Sequence, residues 1–144
     1  MKKLTLSDIR SFPGFKAEGK VLLSSEDNLP VLRFEDTTSK GERIYLYTPA
    51  GSDEIIYVGS TTTSVKLRAV SHWGRMVKTS YSPKEYVPSY KDRWLPKLKE
   101  VSEMSIWSIE APKVEILGET VSALYDTERA LIKNIKPCLN LKDK

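Results

Sequence analysis

The chain has 144 residues, of which 40% are hydrophobic and 29% are charged, and its formal net charge is +4. These values predict one globular domain that is long enough to bury a core of its own. No apolar run approaches the roughly 20 residues needed to cross a bilayer, so we expect no membrane partner.

Two further features narrow the class of protein. The N-terminus turns polar too soon to act as a signal peptide. Cys138 is the only cysteine, which excludes an internal disulfide and a thiolate metal cluster. We therefore expect a cytoplasmic location, or delivery into a host cytoplasm.

An N-terminal section of short elements covers residues 1–40. A helix is predicted over 6–12, where it stops before a Pro-Gly pair, and two short strands are predicted at 21–23 and 31–34. Turn-forming residues separate the two strands, and a polar linker at 37–41 leads into the rest of the chain.

Two tyrosine-bearing segments predict a β-hairpin. Arg43–Tyr47 and Ile55–Thr61 are rich in β-branched and aromatic residues, and the segment 49–54 between them supplies Pro, Gly, Ser and Asp for a turn. Pairing of these strands is expected to bring Tyr45 and Tyr57 to one face of a sheet.

A helix is predicted after this hairpin, over about 64–78. Ser and Thr residues at 60–64 supply candidates for its N-cap, and apolar residues recur behind them at helical spacing. Arg68 and His72 are four positions apart, so their side chains share one face of the helix.

Further elements are predicted beyond a proline-punctuated loop at 80–89. A second helix covers about 90–103, and Pro96 either kinks it or lies in the first turn of a shorter helix. Two strands follow, at 105–111 and at 113–117.

The last predicted helix spans about 121–135 and has a glutamate on its apolar stripe. A bare carboxylate is costly to bury unless it is paired or bound to a metal. Glu128 is therefore either a metal ligand or an edge residue that forms a salt bridge with a lysine. The expected stripe consists of Val121, Leu124, Tyr125, Leu131, Ile132 and Ile135.

Positive charge is concentrated between Lys66 and Lys99. This segment has nine basic residues and two acidic ones, a net charge of +7, while the remainder of the chain carries −3. Five Trp and Tyr residues are interleaved with these charges. Basic groups neutralise phosphates and aromatic rings stack on bases, so the segment is either a nucleic-acid-binding surface or a solvated basic face. The candidate DNA contacts are Arg75, Lys78, Lys84, Lys91, Arg93 and Lys97.

In their order and spacing, these residues resemble the GIY-YIG nuclease superfamily. The first motif of that family corresponds to Arg43-Ile44-Tyr45 and the second to Tyr57-Val58-Gly59. The segment 132–140 is close to the family's ending.

The resemblance covers about residues 42–141 and implies an α+β fold. Its core would be a small, mainly antiparallel three-stranded sheet flanked by helices, in a nuclease domain at 41–144. Residues 1–40 would be an N-terminal extension and about 79–103 a helical insertion. Arg43 replaces the glycine that usually starts the first motif.

The resemblance also implies an activity, which is hydrolysis of phosphodiester bonds in double-stranded DNA with one Mg²⁺ or Mn²⁺ per active site. Glu128 matches the metal ligand and Arg68 matches the arginine that contacts the scissile phosphate. Tyr45 matches the tyrosine that activates the attacking water, Tyr57 matches the second tyrosine, and Asn140 matches a supporting residue near the end.

The identity of the general base stays open at this point. A phenol titrates near pH 10 in water, so Tyr45 needs nearby cations that lower its pKa, and Lys66 and His72 are the candidates. Alternatively, His72 is the base and Tyr45 orients the water.

Three functions remain compatible with the sequence. The first is an endonuclease of the restriction, phage or mobile-element type, which would cut both strands as a homodimer or by successive nicking. The second is a nucleic-acid-binding module without catalysis on the same fold. The third is a protein that binds a host protein through residues 1–40.

Overall fold

The computed structural model describes residues 3–26, 28–35, 39–74 and 88–140. The helices of this part of the chain are α1 (Leu6–Ile9), α2 (Val65–Gly74), α3 (Pro88–Val101) and α4 (Leu124–Ile135). The strands are β1 (Lys16–Leu23), β2 (Pro30–Phe34), β3 (Arg43–Pro49), β4 (Tyr57–Thr61), β5 (Glu103–Glu110), β6 (Lys113–Ile116) and β7 (Glu119–Ser122).

An antiparallel sheet of five strands in the order β2-β1-β5-β3-β4 forms the centre of the fold, and β6 and β7 form a separate hairpin. The predicted α+β class is confirmed. The sheet is larger than the three strands expected, because β1 pairs with β5 and carries β2 at its outer edge. The N-terminal strands are thus part of the central sheet.

Helices cover both faces of the sheet, and each face has its own apolar cluster. The cluster beneath α2 and α3 contains Val21, Tyr45, Tyr47, Ile56, Val65, Ala69, Trp73, Trp94, Leu98, Met104, Ile106 and Leu139. The cluster beneath α1 and α4 contains Ile9, Ile44, Leu46, Ile55, Val58, Ile109, Ala111, Leu124, Leu131 and Ile135. Neighbouring residues of β3 alternate between the two clusters, as the two-residue period of a strand requires.

The predicted tyrosine hairpin is confirmed. In its register Tyr45 lies opposite Gly59 and Tyr47 lies opposite Tyr57, so the three tyrosines share the face beneath α2 and α3. The turn follows Pro49, and Gly51 adopts the left-handed backbone (φ 75°) that a glycine tolerates best.

A β-bulge turns Glu18 into the interior of the protein. The register between β1 and β5 shifts between Ala17 and Gly19, so Glu18 is the extra residue, and its side chain is fully buried. Its carboxylate accepts hydrogen bonds from the Ser108 hydroxyl at 2.5 Å and from the Ser39 backbone N–H at 3.1 Å.

Arg43 is the cation that faces this buried carboxylate. Its Nε donates to Ser108 Oγ at 2.9 Å and lies 3.9 Å from Glu18 Oε2, and its Nη2 donates to the Gly14 carbonyl. Arg43 occupies the position where the family resemblance expects a glycine. Its side chain connects β3 to the N-terminal section through these contacts.

The last helix begins later than its apolar period predicts. Residues 119–122 form β7 and pair with β6, and α4 begins only at Leu124. Val121 and Tyr125 were expected in the buried stripe, but they are 40% and 63% exposed. The core of α4 consists of Leu124, Leu131 and Ile135.

The two middle helices agree with their predictions where the structure describes them. α2 starts at Val65 and is capped by the Ser64 hydroxyl, which accepts the N–H of Leu67 at 3.0 Å. The remainder of the predicted helix and most of the predicted loop, 75–87, lie outside the described residues. Pro96 lies inside α3 and not in a first turn. None of the helices in the described ranges is long and apolar enough to span a membrane.

Candidate active site

A cavity of about 400 Å³ opens at the β4 edge of the central sheet. Because β4 is the last strand of the sheet, side chains from both faces and from the C-terminal segment can reach this edge. Five of the seven residues predicted for catalysis or its support line the cavity. Its walls are formed by Tyr45, Tyr57, Ser60, Arg68, Tyr125, Glu128, Arg129, Ile132 and Asn140.

The Tyr45 ring is held against the backbone of β4. A Cβ atom at Gly59 would lie 2.5 Å from Tyr45 Cζ and 2.6 Å from its hydroxyl oxygen, so only glycine leaves room for the ring. Tyr45 is 1% exposed and lies 6.0 Å from the Tyr57 ring. The glycine of the second motif therefore sets the position of the tyrosine of the first.

The Tyr45 hydroxyl is a buried polar group that forms no hydrogen bond of regular geometry within the described part of the chain, although Arg68 and Tyr57 lie near enough to act on it by hydrogen bonding. Burial raises the pKa of Tyr45 above its ordinary value, and the charge of Glu128 raises it further, whereas Arg68 and Tyr57 lower it. The cation that acts on Tyr45 is thus Arg68, and neither Lys66 nor His72, which were the expected candidates.

Glu128 reaches the cavity from α4, on the opposite face of the sheet from Tyr45. Its Oε1 accepts a hydrogen bond from Ser60 Oγ at 2.9 Å, and the side chain is only partly buried. Ser60 points towards α4 because it lies one position after Gly59 in β4. Within the described residues Glu128 forms no salt bridge with a lysine, which was the structural alternative for this residue.

Arg68 and Tyr57 complete the polar wall on the Tyr45 side. Arg68 projects from the second turn of α2 and is exposed at the cavity. Tyr57 is half-buried, with its ring 4.5 Å from the Trp94 ring. A guanidinium accessible to solvent and two phenols therefore face the carboxylate of Glu128 across one space.

Asn140 fastens the C-terminal segment to β4 beside this space. Its Oδ1 accepts the N–H of Val58 and its Nδ2 donates to the Val58 carbonyl, each at 2.9 Å. The Leu139 N–H also donates to the Ile56 carbonyl at 2.9 Å. The amide thus satisfies backbone groups on the open edge of the sheet and holds the strand that carries Tyr57 and Ser60.

His72 and Lys66 do not line the cavity. His72 is 4% exposed, with its ring 5.0 Å from Trp94 and 5.6 Å from Tyr57, to which it is perpendicular. Lys66 is exposed, and its ammonium lies 5.7 Å above the Phe34 ring. His72 is thus part of the aromatic packing behind Tyr57.

Two of the six candidate DNA contacts have described side chains. The half-buried Arg93 donates from Nη1 to the Leu139 carbonyl at 2.6 Å. Lys97 forms an ion pair with Glu100 at 3.4 Å. The side chain of Lys91 lies outside the described part, as do Arg75, Lys78 and Lys84.

Four residues of the cavity wall were not predicted as site residues from the sequence. Ser60 was assigned only to the strand and the helix cap, Tyr125 and Ile132 were assigned to the core, and Arg129 was not singled out. Their proximity to predicted site residues in the sequence could have revealed them. Ser60 directly follows Gly59, and Tyr125 and Arg129 lie within four residues of Glu128 on α4.

The donor set at the cavity limits which metal it could hold. No group of three or more His, Cys, Asp or Glu side chains suited to a metal occurs in the described ranges. Glu128 supplies one carboxylate and Ser60 one hydroxyl at the cavity wall. Oxygen donors that are few in number fit a hard cation such as Mg²⁺, which keeps waters and substrate phosphates in its shell.

One solved structure shares this fold at low sequence identity. No protein-family model and no curated protein matches the sequence. Among solved structures, a mutant of bacteriophage T4 EndoII is similar with a TM-score of 0.64 and 16% identity, over 95% of this chain and 99% of that chain. Restriction endonuclease HPY188I in complex with product DNA is similar over 92% of this chain and 83% of that chain, with a TM-score of 0.47 and 11% identity. The first similarity extends to the N-terminal section, since it covers nearly the whole chain.

Proposed function

We propose that this protein is a DNA endonuclease of the GIY-YIG type, which hydrolyses phosphodiester bonds with one divalent cation, Mg²⁺ or Mn²⁺. One observation carries the proposal. Tyr45, whose buried hydroxyl lacks a hydrogen bond of regular geometry among the described residues, lines the same cavity as Arg68 and Glu128. An unsatisfied buried hydroxyl beside opposite charges is suited to a bound water or a phosphate oxygen.

The likeness to EndoII supports this proposal at the level of the fold. It covers both chains almost completely, so the strands and helices that carry the cavity have counterparts in a phage nuclease. The motifs add the chemistry, because Tyr45, Tyr57, Arg68, Glu128 and Asn140 hold the positions that the GIY-YIG resemblance requires and surround one cavity.

Arg68 is suited to holding the scissile phosphate. A guanidinium presents several N–H donors in one plane and makes paired hydrogen bonds with phosphate oxygens. Since Arg68 is exposed at the cavity and lowers the pKa of Tyr45, one side chain can both orient the phosphate and favour the ionised phenol.

Tyr45 is better placed than His72 to take the proton of the attacking water. A general base must lie within hydrogen-bond reach of that water. Tyr45 lines the cavity, whereas His72 packs against Trp94 and Tyr57 and does not line it. Tyr57 faces the cavity with half of its side chain buried and is suited to steadying Tyr45.

Glu128 would hold the divalent cation, with Ser60 fixing the orientation of its carboxylate through Oε1. A cation bound there supplies charge stabilisation for the phosphate and the departing oxygen, and it offsets the negative charge that raises the pKa of Tyr45. Because the cation needs only one protein carboxylate, the absence of a larger acidic cluster from the described residues is compatible with this role.

Double-stranded DNA is the proposed partner. One cavity per chain can cut one strand at a time, so a double-strand break needs a homodimer or successive nicking by one protein. The basic residues between Lys66 and Lys99 supply the positive charge that phosphates require.

A plasmid-cleavage assay tests the proposal. With Mg²⁺, supercoiled plasmid is expected to become nicked or linear, and EDTA should stop the reaction. Glu128→Gln should remain folded and inactive. Retention of plasmid binding without any cleavage in Mg²⁺ or Mn²⁺ would favour a binding module, and neither binding nor cleavage would favour a protein-interaction role.

A further inference from the structure

A second cavity adjoins the candidate active site. It has a volume of about 440 Å³. Ser60, Arg68 and Tyr125 line both cavities, so the two spaces form one groove. The groove runs from Glu128 past Arg68 to the loop between β4 and α2. The walls of the second cavity are Ser60, Thr61, Thr62, Thr63, Arg68 and Tyr125.

One wall of the second cavity is made of hydrogen-bond donors. Thr62 and Thr63 are exposed on the loop before α2, and Arg68 is exposed on α2 itself. The Thr61 hydroxyl is buried and donates to the Ser64 carbonyl at 3.3 Å, so it accepts in its 3.3 Å contact with the Thr63 hydroxyl. Both hydroxyls therefore shape the loop, and Thr62 and Arg68 supply the donors of this wall. Hydroxyl and guanidinium groups are common contacts to phosphate and sugar oxygens. This wall is therefore suited to contacting the phosphate and sugar of a nucleotide that adjoins the candidate active site.

Tyr125 forms the aromatic side of the same cavity. It is the second residue of α4, one turn before Glu128, and it is 63% exposed. The helix packs on the sheet through Leu124, Leu131 and Ile135, so Tyr125 is not required for its packing. An exposed ring on the rim of a polar groove is a suitable platform for a nucleobase.

We propose that the second cavity is a nucleotide subsite, in which Tyr125 stacks on the base next to the scissile phosphate while Thr62 contacts its backbone. The inference rests on the proposed function, since it assigns the nucleotide that adjoins the bond being cut. The faces of that base are covered by its neighbours in an intact duplex, so stacking on Tyr125 requires that the base leave the helical stack. A mispaired base, which unstacks at lower cost, should be the better substrate at this position.

The test measures whether Tyr125 and the base beside the cut contribute to DNA binding through the same contact. The cut is first mapped on plasmid DNA with the wild-type protein and Mg²⁺. Duplex oligonucleotides of that sequence are then made, each lacking one base near the cut. Their dissociation constants are measured with Glu128→Gln protein, which binds without cutting, and with Glu128→Gln proteins that also carry Tyr125→Ala or Tyr125→Phe.

With the complete duplex, Tyr125→Ala should weaken binding by about tenfold, whereas Tyr125→Phe keeps the ring and should stay within about twofold. When the base beside the cut is missing, the proteins with Tyr125 and with Tyr125→Ala should have the same dissociation constant. When a base is missing elsewhere, the tenfold difference should persist. Leu117→Ala is the matched control, because it shortens a fully exposed apolar side chain that lines neither cavity, and it should bind like its parent.

Two results would overturn the subsite and leave the proposed function standing. One is unchanged affinity of the Tyr125→Ala protein, and the other is a loss of affinity that no missing base abolishes, both with a wild-type protein that cuts DNA. A wild-type protein that neither cuts nor binds DNA would instead overturn the proposed function, and the subsite with it.

Discussion

Burial has more effect on the Tyr45 hydroxyl than the charges around it. It raises the pKa of Tyr45 despite the opposing effects of Arg68 and Tyr57. A general base acts in its deprotonated form, and the deprotonated fraction grows about tenfold per pH unit until the pH reaches the pKa. A raised pKa therefore predicts a cleavage rate that keeps rising above neutral pH.

The first prediction concerns this base. Tyr45→Phe removes one oxygen and preserves the ring against Gly59, so it should slow cleavage by about 100-fold or more without unfolding the protein. The residual rate should lose the rise with pH. Single-turnover cleavage between about pH 6 and pH 9 measures both effects.

His72→Ala is the comparison for the same experiment. An imidazole titrates near pH 6.5 in water, so a histidine base would make the rate level off near neutral pH. We expect His72→Ala to retain the rise with pH and to lose less activity than Tyr45→Phe. A nearly normal rate for Tyr45→Phe, together with an inactive but folded His72→Ala, would assign the base to His72.

The second prediction compares Glu128, the proposed metal ligand, with Ser60, which donates a hydrogen bond to it. Glu128→Gln should slow cleavage by about a thousandfold or more, since a metal contributes several kcal/mol to such a reaction. Ser60→Ala removes only the hydrogen bond to Glu128 Oε1, which should cost about tenfold. Raising the Mg²⁺ concentration should rescue Ser60→Ala and not Glu128→Gln; equal rescue of both variants would contradict these roles.

The sequence predicts most side chains of the candidate site because the two motifs lie on strands whose pairing is local. Tyr45, Tyr57 and Gly59 lie on two strands linked by a short turn, so their pairing follows from the chain itself. Glu128 stands out as a charge in an apolar period. Ser60 carries no comparable signal, since a serine after a strand is equally suited to a turn or a cap.

The boundary between β7 and α4 shows where periodicity fails. Val121 and Tyr125 continue the apolar spacing of α4, but pairing of β7 with β6 holds residues 119–122 extended. The Leu124 N–H donates to Ser122 Oγ at 3.3 Å, which marks the start of the helix. An apolar period cannot reveal this tertiary pairing, which competes with the helix for the same residues.

The N-terminal strands were predicted, but their place in the sheet was not. β1 pairs with β5, which is more than 80 residues away in the chain, and such pairing leaves no local pattern. No sequence pattern predicted that Arg43 and Glu18 would be neighbours, although their side chains face one another in the fold. The number of strands in the central sheet could therefore not be predicted from the sequence.

The third prediction concerns this buried pair. Arg43→Met should destabilise the protein by about 3–5 kcal/mol, because it leaves the Glu18 carboxylate buried without its cation. Adding Glu18→Leu to Arg43→Met should recover part of that loss, since the unpaired charge is removed. Urea denaturation of the two single variants and the double variant gives the coupling between the residues.

An exposed ion pair between β1 and β5 provides the matched control. Lys20 on β1 lies 3.9 Å from Glu103 on β5, with side chains 47% and 35% exposed. Surface pairs contribute about 0–1 kcal/mol, so the corresponding Lys20→Met and Glu103→Leu variants should show little coupling. Equal coupling in the two pairs would mean that burial of Glu18 does not explain the stability of the N-terminal section.

The distribution of charge over the whole protein bears on the proposed binding of DNA. The segment from Lys66 to Lys99 carries +7, and part of this charge is already used within the fold. Arg93 donates to the Leu139 carbonyl, next to the Asn140 amide that holds β4. Lys97, whose side chain is 21% exposed, forms its ion pair with the exposed Glu100 and holds no other element in place among the described residues. The positive charges of this segment therefore differ in role, since Arg93 contributes to the fold and Lys97 remains a candidate for contacting DNA.

The fourth prediction distinguishes these purposes. Arg93→Ala should lower stability, since a hydrogen bond from a charged group contributes about 1.5–3 kcal/mol, and the salt dependence of DNA binding should change little. Lys91→Ala with Lys97→Ala should leave stability within about 1 kcal/mol and reduce the salt slope by about one for each phosphate that a lysine no longer neutralises. Thermal unfolding and dissociation constants over a series of salt concentrations measure the two effects. A salt slope that falls for Arg93→Ala and is unchanged for the double lysine variant would place the DNA along Arg93 and away from the exposed face of α3.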